Sequence, residues 1–247
     1  MSRKFNGGTD VIAIGSGGLL NTVQPMTVAL WMASTGGGGG AITPFVCKLS
    51  GGGGAIGSWL FAWSAGNTLW FSKDGGAGAD LKKATSSIAA LTSGSFNHLA
   101  LTWNSAINTT AGVAMYFNGV EQPYINGSTG ITVVSDSSWS LNIGNNHHSN
   151  LAFSGYLAHV HVFRRVLSVN EIRALMYHPG MYNSGSVSAI GTAGLIGYWP
   201  LGGLKSPEPD LSGNQFSGVV TGAVFNVNEP PVNEVFVVSA PQMGYAS

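Results

Sequence analysis

The chain has 247 residues, enough for one large domain with a sizeable core. Charged residues are only 8% of it, ten basic against ten acidic, so it lacks the basic face that a nucleic acid or an anionic membrane requires. A single cysteine, Cys47, excludes an internal disulfide framework, and no apolar run is long enough to span a bilayer as a helix.

The 37 glycines and the recurrence of Val, Ile, Thr, Trp and Phe in short runs describe a turn-rich β protein. "MSRKFNGGTDVIAIG" at residues 1–15 has no apolar signal core and leads directly into a strand, so the chain is expected to fold in a cytoplasm. "MTVALWMA" and "ITPFVCKL" follow, with Cys47 expected as a buried strand residue. Gly36 to Gly40 and Gly51 to Gly54 flank the second of these and read as loops; neither precedes a helix or ends in the Lys-Ser/Thr of a phosphate cradle. In "SWLFAWS" Trp59, Phe61 and Trp63 share one strand face and Leu60 and Ala62 the other. Such a row could stack sugar rings, but apolar residues on both faces favour a strand covered on both sides.

"TLWFS", "FNHLALTWN", "GVAMYFNG", "ITVVS" and "SWSLNIG" continue the series. Asn118-Gly119, Asp74-Gly75 and Asn126-Gly127 supply turn chemistry. After "GYLAHVHVFRR", Ser168 and Glu171 form a capping box, with Leu167 and Ile172 placed as a hydrophobic staple, so a helix is expected from about Val169 to Tyr177, ending at His178-Pro179-Gly180. A late strand, "GLIGYWPL" at 194–201, closes the regular pattern.

"FNHLALTWN" (96–104), "GVAMYFNGVEQ" (112–122) and "LNIGNNHHSNLAFSGYLAHVHVFRRVLSVNEIRALM" (141–176), with "FNGGTDVIAIG" at 5–15, resemble the signatures of the LamG-like jelly roll of the concanavalin A-like lectin/glucanase superfamily. "GLIGYWPL" and "PDLSGNQFSGVVTGAV" (209–224) resemble the segment that normally opens such domains. The resemblance therefore implies an all-β fold, an antiparallel two-sheet jelly-roll sandwich with one short helix, in circularly permuted order. Residues 1–228 would form the domain, with 194–228 completing the sandwich beside the amino-terminal strand, and 229–247 an extended tail. The alternative is that the late strand begins a second, truncated repeat.

Chemistry is sparse. The E-x-D-x-x-E pattern of the glucanase branch and the G-x-S-x-G elbow are missing, so no enzymatic activity is expected. No cofactor is expected either, although the resemblance implies a candidate structural calcium at Asp10, against a solvated Asp at a turn. His159 and His161, two apart on a strand, could present imidazoles to zinc, with His147 and His148 nearby; polar surface, or a pH-sensitive subunit contact, is the alternative. Trp139 with the loop Asn145, Asn146, His147 and His148 is the candidate glycan-binding set, in a composition ordinary for hairpin loops. Val235, Phe236, Val237 and Val238 form a β-prone tail segment that either folds back or adds a strand to a neighbour.

Low charge and the tail suit a protein packed in an assembly. The ending also resembles stand-alone structural proteins of tailed phages, so the first expectation is a non-enzymatic virion protein, a decoration or cement protein on the capsid. Its partners would be the major capsid protein or other virion proteins, or further copies of itself, on a particle assembled in the host cytoplasm. The alternative expectation is a carbohydrate-binding, lectin-like module such as a phage receptor-binding or glycan-adhesion protein.

Overall fold

The computed structural model describes residues 1–35, 42–49, 59–75, 80–131, 135–146, 151–180 and 190–232. In chain order the strands are β1 (Ser2–Asn6), β2 (Val11–Gly15), β3 (Met26–Ser34), β4 (Thr43–Lys48), β5 (Trp59–Ser64), β6 (Thr68–Asp74), β7 (Asp80–Thr85), β8 (Asn97–Trp103) and β9 (Val113–Phe117). They continue with β10 (Val120–Glu121), β11 (Tyr124–Ser128), β12 (Leu141–Ile143), β13 (Ser154–Phe163), β14 (Leu195–Trp199), β15 (Val219–Thr221) and β16 (Val224–Asn226); the helix α1 (Val169–Tyr177) lies between β13 and β14.

Two antiparallel sheets result. The first runs β10-β9-β8-β3-β13-β1-β16 with β14 also on β13, and the second β11-β7-β6-β5-β4-β12-β2-β15. This is the jelly-roll sandwich and single helix that the sequence implied. Asn118-Gly119 makes the expected tight turn, both residues at positive φ. Asn126-Gly127 does not: it lies inside β11, paired to β7, where a register shift after Tyr124 absorbs the irregularity that resembled a turn.

Alternation places one face of each sheet inward. Phe5, Val28, Leu30, Phe45, Phe61 and Trp103 belong to one core between the sheets. Phe45 meets Phe61 edge-on at 5.5 Å and Phe153 at 5.7 Å, so rings from three elements interlock across it. Trp59, Phe61 and Trp63 are fully buried in this core, while Leu60 and Ala62 pack with Cys47 on the opposite face. The aromatic row of β5 is therefore core and not a sugar platform. Cys47 donates to the Asn145 carbonyl at 3.3 Å, and burial pushes its thiol well above the usual range, so it is inert.

The late strand and the amino-terminal strand share one neighbour. β1 pairs with β13 over Ser154 to Leu157, and β14 pairs with the same edge of β13 over Val160 to Phe163. β16 then adds to β1 and β15 to β2, so the carboxyl-terminal segment extends both sheets.

Asp136 and Glu208 are buried carboxylates paired with cations distant in sequence. Asp136 accepts from Lys48 Nζ at 2.9 Å and from the Thr22 amide, with both charged side chains out of solvent. Glu208 accepts from Arg3 Nε at 2.7 Å, and Arg3 also donates to the carbonyls of Gly203, Lys205 and Ala223. The guanidinium thus ties the amino-terminal strand to the segment that closes the sandwich. Removing one partner of such a pair strands a buried charge, at a cost of about 3–5 kcal/mol, whereas replacing both with apolar groups is far milder. Arg3→Met should therefore lower the urea midpoint steeply, and Arg3→Met with Glu208→Leu should recover much of the loss; equal midpoints for wild type and Arg3→Met would contradict this role.

Candidate ligand-binding groove

The outer face of the first sheet is covered in three zones. At one end Ile172 and Leu175 of α1, with Leu167 just before it, pack onto Ala29, Ala100 and Phe163, the two alanines being small enough to admit a helix. The helix starts as expected: Ser168 Oγ accepts from the Glu171 amide at 3.3 Å, and Glu171 Oε2 accepts from the Ser168 amide at 2.8 Å.

The middle zone holds a buried aromatic and imidazole layer. His98 lies edge-on to Trp31 at 5.4 Å, and His161 stacks on Tyr198 at 4.4 Å. His159 sits at a bulge with φ of 49°, its Nδ1 hydrogen-bonded to the Tyr198 hydroxyl at 2.9 Å; His161 Nε2 donates to the Pro179 carbonyl at 2.9 Å. The expectation of two partly exposed imidazoles is therefore corrected: 4% of His159 and 1% of His161 is exposed, because β14 and the Pro179 turn cover them. Their ring nitrogens serve Tyr198 and Pro179, and no group of three His, Cys, Asp or Glu side chains able to hold a metal forms among the described residues. Burial pushes His98 and His159 down to about 3 and His161 to about 4, so all three are neutral in the fold.

Beyond this layer a groove of about 620 Å³ opens on the surface. Its floor is sheet: Ala33 of β3 and Tyr156 of β13, which are register partners. One side is Phe96, in the turn entering β8, and the other is the strap Asn228 to Val232 that follows β16. The Phe96 and Tyr156 rings stand 6.2 Å apart, tilted by 52°, both partly exposed. The volume is that of an ordinary small-ligand site. Aromatic faces beside amide and carboxylate groups, here Asn228 and Glu229, suit a ligand with apolar patches and many hydroxyls.

The candidate residues chosen from sequence do not converge on this groove. Trp139 precedes β12 and Asn145 follows it, so they lie toward opposite ends of that strand. Asn145 and Asn146 are buried, not displayed: Asn145 donates to the Gly8 carbonyl, and its Oδ1 accepts from the amides of Asn146 and Leu151. His147 and His148 lie outside the described residues, as do Val235 to Val238. Asp10, expected as a calcium ligand or a solvated turn residue, is only 7% exposed; it accepts from the Asn6 amide at 2.8 Å and the Asn6 side chain at 3.1 Å. A lone carboxylate already engaged in closing its own turn does not fit calcium, which takes six or more oxygens.

Residues 6–173 match the family model described as the concanavalin A-like lectin/glucanases superfamily. The chain belongs to that superfamily. Among solved structures it is similar to a protein from Bacteroides ovatus to which carbohydrate binding has been ascribed, at 15% identity and a TM-score of 0.60. That match covers 94% of this chain, but this chain spans only 60% of the Bacteroides protein. It is also similar to the CBM40 domain of the Ruminococcus gnavus IT-sialidase, at 14% identity and a TM-score of 0.53, covering 70% of this chain and 95% of that domain. The same domain bound to α2,3-sialyllactose matches at 13% identity and a TM-score of 0.51, with the same coverages. At these identities the likeness is one of fold. No curated protein sequence matches the chain.

Within the superfamily fold, the neutral imidazole layer makes stability pH-dependent. Unfolded histidine takes up its proton near pH 6.5, whereas these three resist it until about 3–4, so stability is full above 6.5 and is lost as pH falls through that window. The loss is at most about 1.4 kcal/mol per histidine per pH unit. The melting temperature should fall between pH 7 and pH 5, and His98→Phe should flatten the slope by about a third. A slope unchanged in that variant would remove His98 from the account.

Proposed function

We propose that this chain is a non-catalytic carbohydrate-binding domain and that it holds its ligand in the groove over Tyr156, between Phe96 and the strap Asn228 to Val232. The observation that carries this reading is the pair of tilted, partly exposed rings beside Asn228 and Glu229, on a rigid sheet and of small-ligand size. The ascribed carbohydrate binding of the Bacteroides protein and the sialyllactose bound by the sialidase domain support it by analogy of fold.

The absence of catalysis is part of the proposal. Glu229 is the one carboxylate among the residues that line the groove, and several others are committed elsewhere. Asp136 and Glu208 are held in buried ion pairs, Glu171 in the helix cap, Asp10 in its turn, and Asp210 by the amides of Tyr198, Ser212 and Phe216. A glycosidase needs two carboxyl groups flanking one bond in a groove.

A second reading, assembly on a virion, is favoured by one observation. Leu204, Leu211, Val219, Val224 and Val227 are exposed on the segment that forms the outer edges of both sheets, where unpaired strand groups invite partners. Affinity electrophoresis through gels carrying starch, xylan, galactan or mucin separates the two. Retardation in at least one gel, weakened about tenfold by Phe96→Ala and by Tyr156→Ala but not by Trp139→Ala, is the expected outcome. No retardation in any gel, with the chain recovered on particles from its source, would replace the carbohydrate reading by the virion one.

A further inference from the structure

The strap that forms one side of the groove is held by little. β16 ends at Asn226, Val227 is 75% exposed, and the chain reaches its next buried side chain only at Pro230. Val232 then packs against the cluster of Trp31, Ala158 and Met176, in which Phe96 is the other partly buried member. Phe96 is thus shared: it touches Tyr156 on the groove floor and belongs to the cluster on which the strap rests. Two local contacts shape the strap, the Val232 amide to the Pro230 carbonyl at 2.8 Å and the Asn228 amide to Asn226 Oδ1 at 2.8 Å.

The polar side of the groove comes from this same segment. Asn228 carries two donors and an acceptor, and Glu229 is a carboxylate that accepts from the Met1 amino group at 2.9 Å. The sheet contributes the aromatic floor and the strap the groups that hydrogen-bond hydroxyls. A ligand using both halves meets a complete site only when the strap is docked.

Resting on the carbohydrate reading above, we infer that Asn228 to Val232 is a binding element in its own right: Asn228 and Glu229 contact the saccharide, and Val232 and Pro230 act as positioning residues that hold them and Phe96 in place. Apparent affinity then scales with the fraction of molecules whose strap is docked, since an undocked strap removes the polar half and releases the Phe96 ring. Binding in turn stabilises the docked strap, by the reciprocity of linkage.

The test uses the full chain and the polysaccharide that retards it most in the electrophoresis panel. Val232→Asp places a carboxylate in the apolar cluster and should weaken binding at least tenfold while the melting temperature stays within a few degrees of wild type; Val232→Ile should bind as wild type does. Asn228→Ala, at an exposed position, keeps the test valid should Val232→Asp unfold the protein, and should weaken binding several-fold. Tryptophan emission, to which Trp31 contributes among the seven tryptophans, should shift in Val232→Asp and remain unchanged in Asn228→Ala. Wild-type affinity in either Val232→Asp or Asn228→Ala would overturn the inference and leave the carbohydrate reading standing. Failure of the wild-type chain to bind any of the polysaccharides would remove both.

Discussion

Strand β13 is hydrogen-bonded along both of its edges, and a bulge between Ala158 and His161 divides one edge between two strands from distant parts of the chain. β1 occupies the half before the bulge and β14 the half after it, with the His159 amide bonded to the Pro200 carbonyl where they meet. The extra residue bends the strand and turns His159 into positive φ, an arrangement that costs energy and persists only because the surroundings over-determine it. Those surroundings are the Tyr198 hydroxyl and the stacked His161 ring of β13, the latter held in turn by the Pro179 carbonyl and the Tyr198 ring, so both anchors come from the chain that follows the helix.

The groove depends on this division. Tyr156 lies on the β1 half of β13, so it remains outside the layer that Tyr198 and Pro179 cover, and β1 carries β16 beside it. From β16 the strap returns over Trp31 and closes the groove against Phe96. One edge of one strand therefore fixes both the buried imidazole layer and the open aromatic pair. The Arg3 to Glu208 pair secures the same junction from the far side, linking β1 to the loop between β14 and β15.

Much of the fold was legible because periodicity and caps are local. The helix from Val169 to Tyr177 followed from Ser168, Glu171 and the staple, and the strand character of "GLIGYWPL" from its apolar run. The site was not legible, because exposure is decided by what lies above a side chain. His159 and His161 look like surface polar residues until Tyr198 and Pro179 cover them. Asn145 and Asn146 have loop composition, yet both are buried, and the Asn145 side chain is consumed by the Gly8 carbonyl and the amides of Asn146 and Leu151. Tyr156 alternates outward opposite buried Leu157, which marks it as facing away from the core, but nothing local brings Phe96 and residue 228 beside it. Asp136 and Glu208 carry no local sign of burial, because their cationic partners, Lys48 and Arg3, are far away in sequence.

The claim that joins these features is that the sandwich binds saccharide on the outer face of its first sheet, between Phe96, Tyr156 and the strap. Titrating the isotopically labelled chain with oligosaccharides of the bound polysaccharide, while recording backbone and aromatic resonances by NMR, tests it most directly. The account predicts saturable shifts confined to the surroundings of Phe96, Tyr156 and residues 228–232. Shifts centred on Trp139 or on the outer face of the second sheet, with the Phe96 and Tyr156 resonances unmoved, would contradict it.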